Sequence, residues 1–502
     1  MTEPRRATRR AVIGRFLGPI AAVVVYLVLP SGDAGLTDGG RATTAVATLM
    51  AIWWVTEALP LAATALVPIV AFPLTGALDL ETTTAPYAND LIFLFLGGFV
   101  LALAMQRWGL HRRIALLTIR AVGTRSKQVV GGFMLATAFL SMWVSNTATA
   151  VMMLPIGVSV LGLVAKRVEE VPGGDGEGSL TGEGASNIAT ALMLGIAYAA
   201  SIGSLATIIG TPPNAFLIGY LSQDQGISIG FGQWMLFALP LSLVFLAITW
   251  WVLTSRLHPP EVDVIPGGRE LIQGELDELG PASRGEKRVA FVFAATALAW
   301  ILNSLLGDVV EGTPLEQLDD AMIAIAAAIV LFVVPVDREH GVFAMDWDTA
   351  RQLPWGILLL FGGGLSLAEA ISGNEVDAFL GEQLGALADV PLWVLIGVVA
   401  LSVVLLTELT SNTATAAALV PIIGGTAVAL GLDPIQLAVP AALAATCAFA
   451  LPVATPPNAI VFGSGHVTVT QMARAGVVLN VIGVLLIAGL TVLLAGPVLG
   501  AG

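Results

Sequence analysis

Long apolar runs, broken at a few places by short polar motifs, set the pattern of this chain. In the first half they cover 16–31, 44–59, 61–77, 89–105, 127–165, 189–209 and 231–255. In the second half they cover 288–306, 321–335, 354–370, 391–430, 435–452 and 474–497. About 20 apolar residues in helix cross a bilayer. Several runs are too long or too broken to be single spans, so the pattern predicts about 11 crossings plus two re-entrant pieces. Between the halves, from His258 to Lys287, lie Pro259, Pro260, Gly267, Gly268, Gly280 and Pro281. That composition predicts a connection rather than a helix.

The polar breaks repeat. Ser-Asn-Thr-Ala-Thr-Ala occupies 145–150 and again 411–416, and Thr-Pro-Pro-Asn occupies 211–214 and again 455–458. A Gly-rich run precedes each pair, at Gly97 and Gly98 and at 362–364. From the first motif to the second is 66 residues in one half and 44 in the other. The surplus matches the acidic, Gly-rich stretch 167–188, an insertion of the kind exposed loops accept. Two polar breaks duplicated in the same order predict two inverted-topology repeats with a substrate site between them. A helix cap or a kink alone would not require the duplication.

Each break has its own chemistry. Ser145, Asn146 and Thr147, like Ser411, Asn412 and Thr413, compete for the backbone and favour helix N-caps. A helix broken inside a bilayer presents carbonyls at one end and amide N–H groups at the other. The carbonyl end suits a cation such as Na⁺, and the amide end suits an anion. The hydroxyls can donate to anion oxygens, while an asparagine amide can serve either ion. At Thr211, Pro212, Pro213 and Asn214, and at Thr455, Pro456, Pro457 and Asn458, the prolines supply no N–H and bias the preceding threonine away from helix. Carbonyls around 201–210 and 450–454 thereby lose helical donors and become candidate ion ligands.

Composition narrows the reading. Of 502 residues 56% are hydrophobic and 12% charged, which fits a polytopic α-helical membrane protein and not a soluble domain. Arg5, Arg6, Arg9, Arg10 and Arg15 flank the first run, which reads as a first membrane helix with a cytoplasmic N-terminus. The net charge of −14 gathers in connections, chiefly 169–183 and 261–286, and reads as solvated loops. Cys447 is the single cysteine, and four scattered histidines show no metal-ligand spacing. No phosphate-binding Gly-x-x-x-x-Gly-Lys-Ser/Thr loop supports ATP-driven transport, and nothing points to nucleic acid. No Lys or Arg occurs between Lys127 and Lys166 around the first Ser-Asn-Thr motif, or between Arg351 and Arg474 around the second, so sequence neighbours supply these breaks with no fixed positive charge.

At these residues the chain resembles the divalent-anion/sodium symporter family, the INDY-like dicarboxylate transporters. The resemblance extends over nearly the whole chain and includes Trp53-Trp54-Val55-Thr56-Glu57-Ala58-Leu59-Pro60, both Ser-Asn-Thr motifs, 209–214 and 451–460. It implies an all-α polytopic fold with two re-entrant hairpins, a homodimer, and an elevator in which a transport domain moves against a scaffold. The implied divisions are scaffold helices over 12–80, transport part over 88–225, linker and scaffold over 231–350, and transport part over 354–500. By similarity, Ser145, Asn146, Thr147, Ser411, Asn412 and Thr413 would contact substrate carboxylates. A first Na⁺ site would use Ser141, Ser145, Asn146 and Gly203, and a second Thr407, Thr410, Asn412, Ala450 and Pro452. The implied activity is Na⁺-coupled uptake of a C4-dicarboxylate across the plasma membrane. Sulfate, phosphate or citrate transport, anion exchange and an anion channel are the competing readings. A membrane-embedded enzyme lacks a paired acid and base in the core.

Individual residues carry narrower expectations. Glu57 is read as an intramembrane carboxylate near a helix end with a structural role. Asp90 is read as the cap of a re-entrant run. Glu408 is a candidate for tuning a cation site. Glu369, where relatives often have Lys, is read as lying in a solvated turn, and His466 in an exit loop. The Gly runs are read as hairpin tips or close helix packing.

Overall fold

The computed structural model describes residues 9–31, 35–123, 125–170, 186–264, 268–305, 317–383 and 390–501. Arg5, Arg6, Gly267 and residues 171–185 lie outside the described residues. The chain opens with α1 (Arg9–Val28) and α2 (Asp38–Thr56), packed along each other. The run 61–77 divides into α3 (Leu61–Thr64) and α4 (Val67–Thr75), because Pro68 cannot supply the N–H that would continue the first piece. The short α5 (Leu80–Thr84) leads into α6 (Asp90–Arg107). Then come α7 (Leu110–Val122), α8 (Ser126–Ser141), α9 (Asn146–Glu170), α10 (Asn187–Ser204), α11 (Pro212–Asp224) and α12 (Phe231–Val252).

The second half begins with α13 (Gly268–Leu279), α14 (Arg284–Leu305) and α15 (Asp320–Val333). A two-stranded antiparallel ribbon follows, β1 (Pro335–Asp337) with β2 (Val342–Phe343). After α16 (Trp347–Ala350) come α17 (Trp355–Gly373), α18 (Val376–Gln383), α19 (Leu392–Thr407), α20 (Asn412–Ala429), α21 (Ile435–Thr446), α22 (Pro456–Gly463) and α23 (Val469–Leu494). Among the described residues, 7 helical stretches are long and apolar enough to cross a membrane, and further apolar helices are shorter. The Thr-Pro-Pro breaks divide α10 from α11 and α21 from α22.

The order α6 to α12 repeats as α17 to α23, and the two sets interlock. The arm α9 packs on α22, and its counterpart α20 packs on α11. Likewise α10 packs on α22 and α21 on α11. Each post-break helix is thus seated against the other repeat, the reciprocity expected of repeats related by a two-fold axis. The centre lies here: apart from Pro212, every residue from Ile188 to Leu221 is buried, as is every residue from Leu437 to Ala450. A helix that is apolar all round belongs in such a core.

Several expectations need correction. Part of the linker 258–287 is helical. Ile272 and Leu276, one turn apart, bury one face of α13 against the amphipathic α7. Ion pairs Arg112–Glu275 (2.5 Å) and Arg113–Glu286 (2.6 Å) lie beside that contact. The Gly runs sit inside α6 and α17 as packing surfaces, not hairpin tips. A Cβ on Gly97 would lie 2.5 Å from the Ala324 backbone, and one on Gly363 2.2 Å from the Ala65 carbonyl. Gly363→Val should therefore force apart two backbones, at a cost of about 3 kcal/mol or more. A lowered unfolding temperature in detergent checks this; a native-like temperature contradicts it. The N-cap of α6 is Asn89, whose side chain accepts from Leu91 N; Asp90 is its first helical residue. Glu369 is half-buried on α17 and does not lie in a turn, and His466 is buried in the turn after α22.

Candidate functional site

The two Ser-Asn-Thr motifs form the tips of hairpins α8–α9 and α19–α20. In the first tip, Ser145 is the capping residue. Its Oγ accepts from Ala148 N (3.3 Å), and its carbonyl accepts from Thr149 N (3.0 Å). Asn146 begins the second arm and turns its amide inwards. Its Oδ1 accepts from Ser141 Oγ (2.7 Å), and its Nδ2 donates to Ser204 Oγ (3.2 Å). The second tip repeats the device with threonine for serine. Asn412 Oδ1 accepts from Thr407 Oγ1 (2.7 Å), and Thr407 also reaches the Ala445 carbonyl (2.8 Å). In each repeat a hydroxyl five residues upstream holds the asparagine. Ser141 and Thr407 are fully buried, whereas Asn146 and Asn412 are only partly so.

A cavity of about 670 Å³ lies in front of the tips. All six predicted substrate contacts, Ser145, Asn146, Thr147, Ser411, Asn412 and Thr413, line it. Thr211, Pro212, Thr455 and Pro456 also line it, and Phe95, Phe99, Trp143 and Ile357 add apolar wall. Ser141, Gly203, Thr407, Ala450 and Pro452 are not among its lining residues. Asn146 and Asn412 are therefore shared, each with one side on the cavity and the other on a buried oxygen cluster.

The second asparagines, those of Thr-Pro-Pro-Asn, have a role that sequence reading missed. Asn214 and Asn458 are fully buried behind the cavity wall. Asn214 Nδ2 faces the carbonyls of Ser204 (3.3 Å), Leu205 (3.1 Å) and Thr207 (2.9 Å). Asn458 Nδ2 faces those of Ala448 (3.1 Å) and Leu451 (3.0 Å). Side-chain amides thus serve carbonyls that the interruption of the helix leaves without helical donors, and the break is fixed rather than loose. Pro213 and Pro457 are buried in the first turns of α11 and α22. Thr211 and Thr455 are extended, as the following prolines require.

Predicted cation ligands are placed unevenly. A Cβ on Gly203 would lie 2.3–2.7 Å from backbone atoms of Ala138, so this glycine allows α10 to touch α8. The neighbouring Ser204 supplies the side chain that reaches Asn146. Gly203→Ala should separate α8 from α10, destabilise the fold by about 1–3 kcal/mol, and shift the Na⁺ dependence of unfolding to higher Na⁺. Thermal unfolding followed across a Na⁺ titration checks this; an unchanged Na⁺ dependence contradicts it. The Thr410 hydroxyl is engaged inside its own hairpin, with Thr415 Oγ1 (2.6 Å) and the Leu406 carbonyl (2.9 Å).

Ala450 and Pro452 lie in the non-helical stretch after α21, and Glu408 governs that stretch. Its Oε1 accepts from Phe449 N (2.7 Å), Ala450 N (2.8 Å) and Asn480 Nδ2 (2.7 Å), and its Oε2 from Leu451 N (3.0 Å). A buried carboxylate with this many donors is satisfied without a cation partner. Backbone N–H groups turned towards Glu408 fix the orientation of the peptide planes, and with it the direction of their carbonyls. The sequence singled out Glu408 by its position beside the second motif, but gave no sign of Asn480, 72 residues away.

Two charged groups at the cavity were also hidden. Glu57 is not inside a helix; it ends α2 in the left-handed conformation (φ 50°), is exposed, and lines the cavity. Arg10, from the start of α1, lines it too, although the sequence places no basic residue near either motif.

The family profile described as "Sodium:sulfate symporter transmembrane region" matches residues 11–500. The chain belongs to this family. It is the divalent-anion/sodium symporter family that the motifs resemble. A relative in Staphylococcus saprophyticus subsp. saprophyticus, named sodium-dependent dicarboxylate transporter SdcS, is 41% identical over 490 residues, 97% of this chain and 92% of that protein. A protein of the same name in Staphylococcus aureus (strain USA300) is 42% identical over 477 residues, 95% of this chain and 89% of that one. Among solved structures, the Alcanivorax borkumensis YdaH transporter, described as having an unusual topology, aligns with a TM-score of 0.57. That alignment covers 97% of this chain and 98% of the other at 14% identity, and bears on the fold alone.

Proposed function

We propose that this protein is a secondary active transporter that couples Na⁺ entering the cell to uptake of a C4-dicarboxylate such as succinate, malate or fumarate. The observation that carries the reading is the shared placement of Asn146 and Asn412 between the cavity and two buried oxygen clusters. A cation held by Ser141, Ser145, Asn146 and the Gly203 region would fix one tip. A second, held by Thr407, Asn412 and carbonyls of Thr410, Ala450 and Pro452, would fix the other. The two cations and the N-termini of α9 and α20 then supply positive charge to a dianion held by Ser145, Thr147, Ser411 and Thr413. Without them the dianion faces carbonyl oxygen, so each ligand strengthens the other's binding by linkage. The reading is transport, not enzyme chemistry. The names of the close relatives favour a dicarboxylate over sulfate.

The protein works as an elevator in a homodimer of the plasma membrane, with the N-terminus in the cytoplasm. The packing of α6 mainly on α15, a helix of the 231–350 scaffold part, supports a moving unit that begins after α6.

Labelled succinate taken up by proteoliposomes, with malate, fumarate, sulfate, phosphate, citrate and aspartate as competitors, tests the reading. Uptake should need an inward Na⁺ gradient and be displaced by malate and fumarate. Displacement by sulfate in preference to malate would overturn the substrate, and equal uptake without Na⁺ would overturn the coupling.

A further inference from the structure

Arg10 stands at the cavity although nothing in the coupling scheme uses it. Its place follows from helix geometry. Residues four apart share a helix face, so Arg10, Gly14 and Gly18 form one stripe of α1. Both glycines are pressed against α2. A Cβ on Gly14 would lie 2.0 Å from Thr56 Oγ1, and one on Gly18 2.6 Å from Trp53 Nε1. Arg15 Nε also donates to the Ala58 carbonyl (2.9 Å). The stripe therefore runs towards the C-terminal end of α2, where Thr56 and Glu57 line the cavity, and delivers Arg10 to the same wall. The Arg10 guanidinium donates to the Leu409 carbonyl (3.2 Å), two residues before Ser411 in the second tip. Among the lining residues it is the one basic side chain, opposite in sign to Glu57.

We infer that Arg10 sets substrate affinity: a fixed positive charge at the cavity wall that attracts the dicarboxylate and offsets Glu57. The inference rests on the dicarboxylate reading above. A solvated charge at this position acts through space. It contributes modestly to affinity, and salt screens its effect. It is distinct from the two asparagines, whose contacts are direct. The bond to Leu409 keeps the long side chain beside the tip.

The test is equilibrium binding of labelled succinate to the purified full-length protein at fixed Na⁺, with choline chloride setting ionic strength. At low ionic strength Arg10→Gln should bind about three- to tenfold more weakly than the native protein. Arg10→Lys should stay within about twofold, because it keeps the charge. The gap should close in about 1 M choline chloride, where the screening length is about 3 Å. Native-like thermal unfolding is expected for both variants, since Gly14, Gly18 and Arg15 still hold α1. Equal binding by Arg10→Gln and native protein at low ionic strength would overturn the inference. So would a gap that survives high salt, or an Arg10→Lys as weak as Arg10→Gln. A native protein that binds no succinate in Na⁺ would instead overturn the dicarboxylate reading itself.

Discussion

Asn146→Ala and Asn412→Ala should each lower Na⁺-driven uptake about a hundredfold or more while leaving a folded protein. On the proposed coupling each asparagine would serve two ligands, and losing hydrogen bonds to charged groups costs about 1.5–3 kcal/mol apiece. Two such losses in one side chain exceed the roughly 2.7 kcal/mol that a hundredfold requires. The fold should survive because Ser204 and Thr407 keep other partners, while Ser141 Oγ loses its Asn146 acceptor at a cost of about 1–3 kcal/mol. Ser204 Oγ still donates to the Ser201 carbonyl (2.8 Å), and Thr407 Oγ1 still reaches Ala445. Initial uptake rates in proteoliposomes, with thermal unfolding as the folding control, check the prediction. Near-native transport by both variants would refute the site.

The second large effect is expected at Glu408. Glu408→Ala would leave three backbone N–H groups and the Asn480 amide without their acceptor, each worth about 1–3 kcal/mol when buried. The variant should unfold at a markedly lower temperature. Glu408→Gln is the more telling change. A carboxamide keeps the volume but has one acceptor oxygen, so at least one N–H now faces an NH₂ group. The stretch 449–451 should shift, and the Na⁺ concentration for half-maximal succinate binding should rise about tenfold, the equivalent of one lost hydrogen bond of about 1.4 kcal/mol. An unchanged Na⁺ dependence in Glu408→Gln would show that the carboxylate supports the fold alone. Asn480→Leu should move the same parameter in the same direction by a smaller amount, since the three backbone bonds persist.

What could be read from the sequence was what repeats along the chain. Ser-Asn-Thr and Thr-Pro-Pro-Asn appear twice in the same order, and that order became two interlocked successions of helices. The breaks fell where Pro212 and Pro456 required. The second function of Asn214 and Asn458 was hidden because a buried asparagine that donates to carbonyls seven to ten residues upstream leaves no local pattern. The amphipathic α7 and α13 were passed over for a different reason. Their apolar faces are short and mixed with charge, and α13 lies in a stretch flanked by Pro and Gly, which local composition reads as loop.

Charge was the least legible feature. A stretch without Lys or Arg around each motif suggested a cavity lacking fixed positive charge, yet Arg10 reaches it from 399 positions before Leu409. Glu57 was read as intramembrane because apolar residues surround it in sequence. As expected it lies at a helix end: its left-handed backbone ends α2, and the fold sets it on the cavity wall. In both cases tertiary placement, not the local run, decides which side chains the substrate meets. Glu408 lies between these extremes: its neighbourhood to Ser411 marked it, while its four donors came from elements that only the fold brings together.

The claim on which the account rests is that bound Na⁺ supplies the charge that holds the dianion. Calorimetric titration of succinate into the purified protein, in Na⁺ and in choline at matched ionic strength, measures it directly. Saturable binding in Na⁺ that weakens about a hundredfold or disappears in choline is the predicted result; equal affinity in the two salts would contradict it.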